Sequence, residues 1–513
     1  MSARDGRVAK RSRRRAPRWM VTAPEIRIYP NDPAAPGGLE DVAAPKPVPR
    51  EPPFRIEGPR YAPAPYAPGT LAFDYWQGEA ALERALGVWE DLFERDFTAW
   101  HSGRPLRVKL RAGRDLNAFY DRVGLQFFYD VDRETGRKVY AAESLEVVTH
   151  ETGHAILDVF QPSYWSSVDL ETAAFHEAFG DCSALVTTLT DPGVRTAFLA
   201  AAGTTSRASN LVSRLAEALG RALYDNYGPG VSGDPTCLRD ANNSLRYAPP
   251  ETLPATSSRG GALTSEPHSF SRVFTGAFYD LLVWLLAREI RKDRSEAGVE
   301  RARRLAGRLL ARAIETLPPG VARYRAVALA MRSMDQTEQD GVASAGIEAS
   351  FARHGIKLEP LVSGGPHRAL RALDPDRPGG AGALRAALRI PPGASLHRSA
   401  LPARTGAGVR EQFIHRDFVI VRHRSLGRLS GVAVRVPCGC TLVRGPGGEV
   451  EQMALLPHPH PTAAEVLPHL RRWIALDAIQ AKGAGSRSSR ALYRERKPFR
   501  VTASGVLERA YID

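Results

Sequence analysis

The chain is poor in cysteine, with four residues in 513: Cys182, Cys237, Cys438 and Cys440. No C-x-x-C pair occurs among them, which excludes a disulfide framework and the usual zinc ribbons and fingers. A reducing compartment is permitted. No run approaches about 18 uninterrupted apolar residues, which excludes a transmembrane helix. The longest apolar stretch, 270–287, is broken by Ser271, Arg272 and Asp280 and reads as a buried helix. No apolar segment follows the basic N-terminus, so a signal peptide is not expected. The chain therefore reads as cytoplasmic as synthesised, with a leaderless route of secretion left open. Internal repeats are absent.

Positive charge is present and unevenly placed. The net charge is +14, with balances of +6 over 1–60, −4 over 61–358 and +12 over 359–513. Basic ends favour weak polyanion binding, such as nucleic acid or an anionic surface. An arginine-rich surface is the plainer account.

Composition divides the chain into four parts. Residues 1–70 are basic and Pro-rich, a composition that buries too little apolar surface to order itself, so a disordered segment is expected. Residues 71–358 carry core-forming patterns. Glu79 to Trp100 has helical spacing through Leu82, Leu86, Trp89 and Phe93, whereas 106–110 alternates as a strand does. A hairpin is expected around 132–136, and helices dominate from Leu145 to about Ile356. Residues 359–405 form a Gly/Pro/Arg-rich linker, and 406–513 a small, separate, basic β-rich accessory domain.

The chemistry lies in the middle. His150-Glu151-Thr152-Gly153-His154 is an H-E-x-x-H motif on a segment whose Leu145, Val148, Ala155 and Val159 make an apolar stripe. Two histidines at i and i+4 share a helix face and can grip one metal ion. Glu151 sits beside that face, within reach of a water on the metal. A catalytic site needs a third protein ligand. Glu177 supplies it from the next helical segment, where Ala174 and Ala178 allow close helix approach. Asp181, one turn on, can accept the second ring N–H of a ligating histidine. His176 points about 100° away from Glu177 on that helix and is not expected to be a ligand.

H-E-x-x-H followed by Glu177 in an E-A-x-x-D context resembles the gluzincins, specifically the thermolysin family of neutral zinc endopeptidases. Further segments match in order across roughly 71–358: Asn117-Ala118-Phe119, Leu238-Arg239-Asp240, His268 with Ser271, and 345–356. The resemblance implies an α+β fold with a β-rich N-terminal lobe and a mainly helical C-terminal lobe, followed here by the β-rich accessory domain. It implies one catalytic zinc ion on His150, His154 and Glu177, with Glu151 as general base and Asp181 behind a ligand. Asn117 and Ala118 would pair with an extended protein or peptide substrate. Arg239 would bind it, and His268 would stabilise the developing oxyanion.

Some positions depart from the family. Val168 stands where its transition-state tyrosine is expected, with Tyr164 nearby. His176 replaces an Asn beside the third ligand, and Phe270 another. Structural calcium sites are not evident. Two alternatives remain: a gluzincin of different specificity, such as an aminopeptidase, and a basic surface- or nucleic-acid-binding protein on a degenerate protease scaffold. Weaker signals are His458 and His460 in a Pro-rich loop, Cys438 and Cys440 read as buried residues of a β-turn, and a basic-aromatic stretch over 487–500.

Overall fold

The structure is a computed structural model. It describes residues 24–45, 53–97, 99–202, 208–229, 233–257, 261–358, 376, 378–401, 409–448, 450–455, 461–480 and 497–512. The basic segment 1–23, the paired histidines His458 and His460, and most of 487–500 lie outside them.

Helices and sheets are mixed. Strands β1 (Glu25–Ile28) and β2 (Glu40–Ala43) form an antiparallel pair. Strand β3 (Phe54–Ile56) joins β4 (Leu106–Lys109), β5 (Ala118–Tyr120) and β6 (Gly124–Phe127) in a sheet of order β3-β4-β6-β5. In it β5 is the outer strand, antiparallel to β6. The expected hairpin is present as β7 (Tyr129–Val131) and β8 (Lys138–Tyr140).

The helical part is built on α1 (Leu71–Phe93), α2 (Leu145–Phe160) and α3 (Leu170–Thr188). Helix α2 starts at Ser144, whose hydroxyl accepts from Val147 N. Helix α3 starts at Asp169, whose carboxylate accepts from Thr172 N at 2.9 Å. These caps satisfy first-turn N–H groups that have no partner within the helix. After α4 (Pro192–Ala202) and α5 (Glu217–Tyr227) comes α6 (Pro267–Ile290). Helix α6 is long and apolar enough to cross a membrane, yet 72% of its most apolar window is buried inside the protein, as a core helix is. It packs on α3 and α7 (Glu296–Thr316), followed by α8 (Tyr324–Glu338) and α9 (Ser344–Arg353).

Three expectations need correction. First, order begins well before Leu71. Ile26 and Ile28 alternate inward from β1 and cluster with Trp76, and the Gln77 amide brackets the backbone of Tyr29 with bonds of 2.8 and 3.1 Å. The prolines space this segment without preventing it from covering α1. Second, the stretch 359–405 is not linker throughout. A helix over Gly380–Ala387 and a strand over His397–Leu401 lie within it, with Leu384 and Leu388 buried one turn apart.

Third, the C-terminal region is β-rich but not separate. Its long strands, Arg410–Val421 and Ala433–Arg444, anchor a seven-stranded sheet. Cys438 and Cys440 lie buried inside the second of these strands, not in a turn. One apolar cluster unites Val168, Leu170 and Ala173 with Leu470, Trp473 and Phe499. Trp473 Nε1 donates to Val168 O at 2.8 Å, and Arg509 Nε to Trp165 O at 2.9 Å. Burying these side chains together removes apolar surface from water on both partners, which a tethered accessory domain would leave exposed. Several C-terminal arginines are also turned inward: Arg410 meets Glu338 at 2.9 Å, and Arg472 the carbonyl of Glu251 at 2.9 Å. Part of the +12 balance is therefore structural.

Candidate metal centre

Helices α2 and α3 cross closely because glycines face each other at the contact. A β-carbon on Gly153 would stand 3.1 Å from Gly180 Cα, and one on Gly180 would strike the His150 ring. The approach brings side chains from both helices to one point. Among the described residues, His150, Glu151 and His154 offer donor atoms that all lie within 4.8 Å of one another. From α3, Glu177 faces both rings: its Oε2 is 3.4 Å from His150 Nε2, and its Oε1 is 3.7 Å from His154 Nε2. Ligands about 2.0–2.2 Å from a tetrahedral ion stand roughly 3.3–3.5 Å apart, so these separations suit one ion between the helices.

The outer ring nitrogens are held as a metal site requires. His150 Nδ1 lies 3.1 Å from Asp181 Oδ1, which accepts its proton and leaves the Nε2 lone pair toward Glu177. Asp181 is itself fixed by Arg239 Nε at 2.9 Å and by the Thr275 hydroxyl at 2.9 Å. Burial alone would raise the Asp181 pKa, but Arg239 and His150 hold it below the ordinary carboxylate range. Burial would likewise lower that of His150, yet Asp181 and Glu177 raise it to about 9. His154 goes the other way: burial and neighbouring cationic groups push it well down, favouring the neutral ring that binds a metal. Its Nε2 is buried without a hydrogen-bond partner. An ion at this point would supply one.

His154 Nδ1 meets His176 Nδ1 at 3.3 Å. Two imidazole nitrogens share one proton at that distance, so His154 Nδ1–H donates to His176 in the tautomer that leaves His154 Nε2 free. His176 thus stands behind a ligand ring, on the side away from Glu177. Spacing along α3 alone does not signal this contact, because its partner lies on α2.

The remaining expected residues surround the same point. His268, early in α6, directs Nε2 to within 3.2 Å of Glu177 Oε2, and its Nδ1 lies 2.6 Å from Glu266 Oε1. Glu266 also caps α6 by accepting from His268 N and Ser269 N. Burial would raise its pKa, but the charge and hydrogen bonds of His268 bring it to about 2. Arg239 is engaged by Asp181 and lines the cleft at 8% exposure. Asn117 and Ala118 line the same cavity of about 490 Å³ as His150, Glu151 and His268. A second cavity, about 370 Å³, lies beyond Glu177 and His268 and is walled by Trp473, Tyr511 and Ile512. Tyr164 lines this second cavity, but its hydroxyl donates to Pro318 O at 3.1 Å, and Val168 packs against the C-terminal region.

Fold and site together define a mixed helix-and-sheet protein with a buried candidate metal centre at the meeting of two helices. No family model matches the chain, and no curated protein matches it. Among solved structures, it is similar to a precursor of protealysin, a metalloproteinase from Serratia proteamaculans. That alignment covers 65% of this chain and 88% of the other at 13% identity, with a TM-score of 0.36.

Proposed function

We propose that this chain is a zinc-dependent endopeptidase of the thermolysin type. The observation that carries the reading is the arrangement of His150, His154 and Glu177 about one point, with both outer ring nitrogens oriented by Asp181 and His176. Two imidazoles and one carboxylate form a donor set suited to zinc, with a coordination position left for water or substrate. When bound, the ion supplies Lewis acidity and an acidified water.

The chain's own residues do the rest. Glu151, beside the ligands but on the cavity side, takes the water proton and delivers it to the leaving amine. His268, held by Glu266, presents Nε2 to the same centre and donates to the developing oxyanion. Arg239 keeps Asp181 ionised, and through it the tautomer of His150. Ala118 offers the outer edge of β5 to an extended peptide as an added strand, with Asn117 beside it lining the same cavity.

The reading is tested by metal analysis of the purified protein together with hydrolysis of casein and of a furylacryloyl dipeptide, with and without 1,10-phenanthroline. One zinc per chain and chelator-sensitive cleavage are expected. Full zinc occupancy without any peptide cleavage would overturn it.

A further inference from the structure

We propose that residues 510–512 close one end of the cleft and limit how far a bound peptide can extend along β5. This proposal rests on the peptidase reading above and sharpens it into a class of substrate: peptides cleaved close to one of their ends.

The argument begins with the pairing of β5. Phe128 N donates to Asn117 O at 3.0 Å, and the register pairs Phe119 with Gln126. In an antiparallel pair, hydrogen-bonded positions recur every second residue. Asn117 and Phe119 therefore turn their backbone groups toward β6, whereas Ala118 and Tyr120 turn theirs toward the open edge. Ala118 lines the larger cavity beside His150 and Glu151. A peptide adding to this edge passes the metal centre at Ala118 and meets Tyr120 two residues further on.

At Tyr120 the edge is already taken. Tyr120 N donates to Ile512 O at 2.8 Å, and Ile512 N donates to Tyr120 O at 2.9 Å. This bridge is antiparallel, so the tail runs along the same lane in the direction from Tyr120 to Ala118. The tail is fastened along its length. Arg509 donates to the carbonyls of Trp165 and Ser167, and Ala510 N to Pro498 O at 2.7 Å. The Tyr511 ring lies 5.1 Å from that of Phe119, and Ile512 is buried in the main core. Tyr511 and Ile512 also wall the second cavity on the far side of Glu177.

Two positions along a strand span about 7 Å. A peptide paired at Ala118 thus has room for only one or two residues before its backbone collides with Ile512. Toward Asn117 and Leu116 the larger cavity continues. The two directions along the edge are unequal, and residues 510–512 make them so.

The test uses fluorescence-quenched peptides that share one cleaved bond, mapped in casein by mass spectrometry, and that are lengthened by one to six residues at either end. The full chain is compared with Ile512→Pro, which removes one of the two bridge hydrogen bonds, and with a form lacking residues 511–513. Lengthening at one end only should lower kcat/KM of the full chain by about tenfold or more. Both variants should recover most of that loss while cleaving the shortest peptide at an unchanged rate. If the deletion fails to fold, Ile512→Pro decides. Equal tolerance of both extensions by the full chain, or an unchanged length preference in the variants, would overturn the proposal and leave the peptidase reading standing. A uniform gain on every peptide would also overturn it, since the tail would then cover the whole site. Absence of cleavage by all forms would remove the peptidase reading and this proposal together.

Discussion

Gly180 lies so close to the imidazole of His150 that a β-carbon built there would stand 2.6 Å from Cε1 and 2.7 Å from Nδ1. The ring is buried between two helices and has nowhere to retreat. Gly180→Ala should therefore turn His150 out of register with Glu177, at a cost of about 1–3 kcal/mol in stability. Metal affinity should fall by more than tenfold. Competition with a colorimetric chelator measures it, and wild-type affinity in the variant would show that the ring is free to move.

His176 carries the second orienting contact. His176→Leu leaves the Nδ1–H of His154 buried without an acceptor and should weaken metal binding about 10–100-fold. His176→Asn, whose amide oxygen can accept the same proton, should recover much of the loss. Equal losses in both variants would indicate a packing role.

The division of labour between the two glutamates separates cleanly. Glu177→Ala should lose the metal, because it removes the donor that faces both rings. Glu151→Gln should keep the metal and lose at least about a hundredfold in kcat, the range expected for removal of a general base. Inductively coupled plasma analysis and a dipeptide assay on the same preparations distinguish the two outcomes.

The Glu266–His268 pair predicts a pH dependence. The Glu266 carboxyl sits at about 2 in the folded protein against an ordinary 4.5. A depressed folded value contributes stability above the unfolded value, and that contribution is lost as pH falls from about 4.5 toward 2. The side chain is 35% exposed, so solvent screening keeps the effect near 1 kcal/mol. Glu266→Gln should lower Tm by a few degrees at pH 7, and the gap should narrow below pH 4.5 and close only near pH 2 in calorimetry.

A chain ending at Lys357 bears on the C-terminal region. A separate accessory domain, as composition predicts for 406–513, would leave the core intact after such a truncation. The shared cluster of Val168, Leu170 and Ala173 with Trp473 and Phe499 argues the reverse. The truncated protein should bind a hydrophobic dye, unfold less cooperatively and lose peptide cleavage. A soluble, fully active truncation would contradict this expectation.

Much of the molecule was legible where local pattern decides structure. The helix carrying His150 and His154 announces itself by motif and stripe together, and the hairpin around 132–136 by its turn residues. Glu177 and Asp181 were legible as an i, i+4 pair among small and apolar neighbours. Other features were hidden for identifiable reasons. The alternation of Ile26 and Ile28 was outweighed by the prolines around it. Gly180 carries no side chain to notice, and its role exists only opposite His150. The angle between His176 and Glu177 on one helix carries no sign of its contact with His154, which belongs to the neighbouring helix.

The bonds that join the C-terminal region to the start of α3 link distant parts of the chain. Leu170 N reaches His469 across 299 residues of sequence, and Trp473 Nε1 reaches Val168 O across 305. Contacts of such separation form late, because a long loop must close before they can reward it. A chain leaving the ribosome therefore completes α2 and α3 well before the residues that will cover them have been made. During that interval Val168, Leu170 and Ala173 face water or a chaperone, and the second cavity lacks the wall formed by Trp473, Tyr511 and Ile512. Synthesis order thus acts as a timer: a nascent chain forms the helices bearing His150, His154 and Glu177 first, and completes its cleft only once residues 510–512 are available to dock on Tyr120.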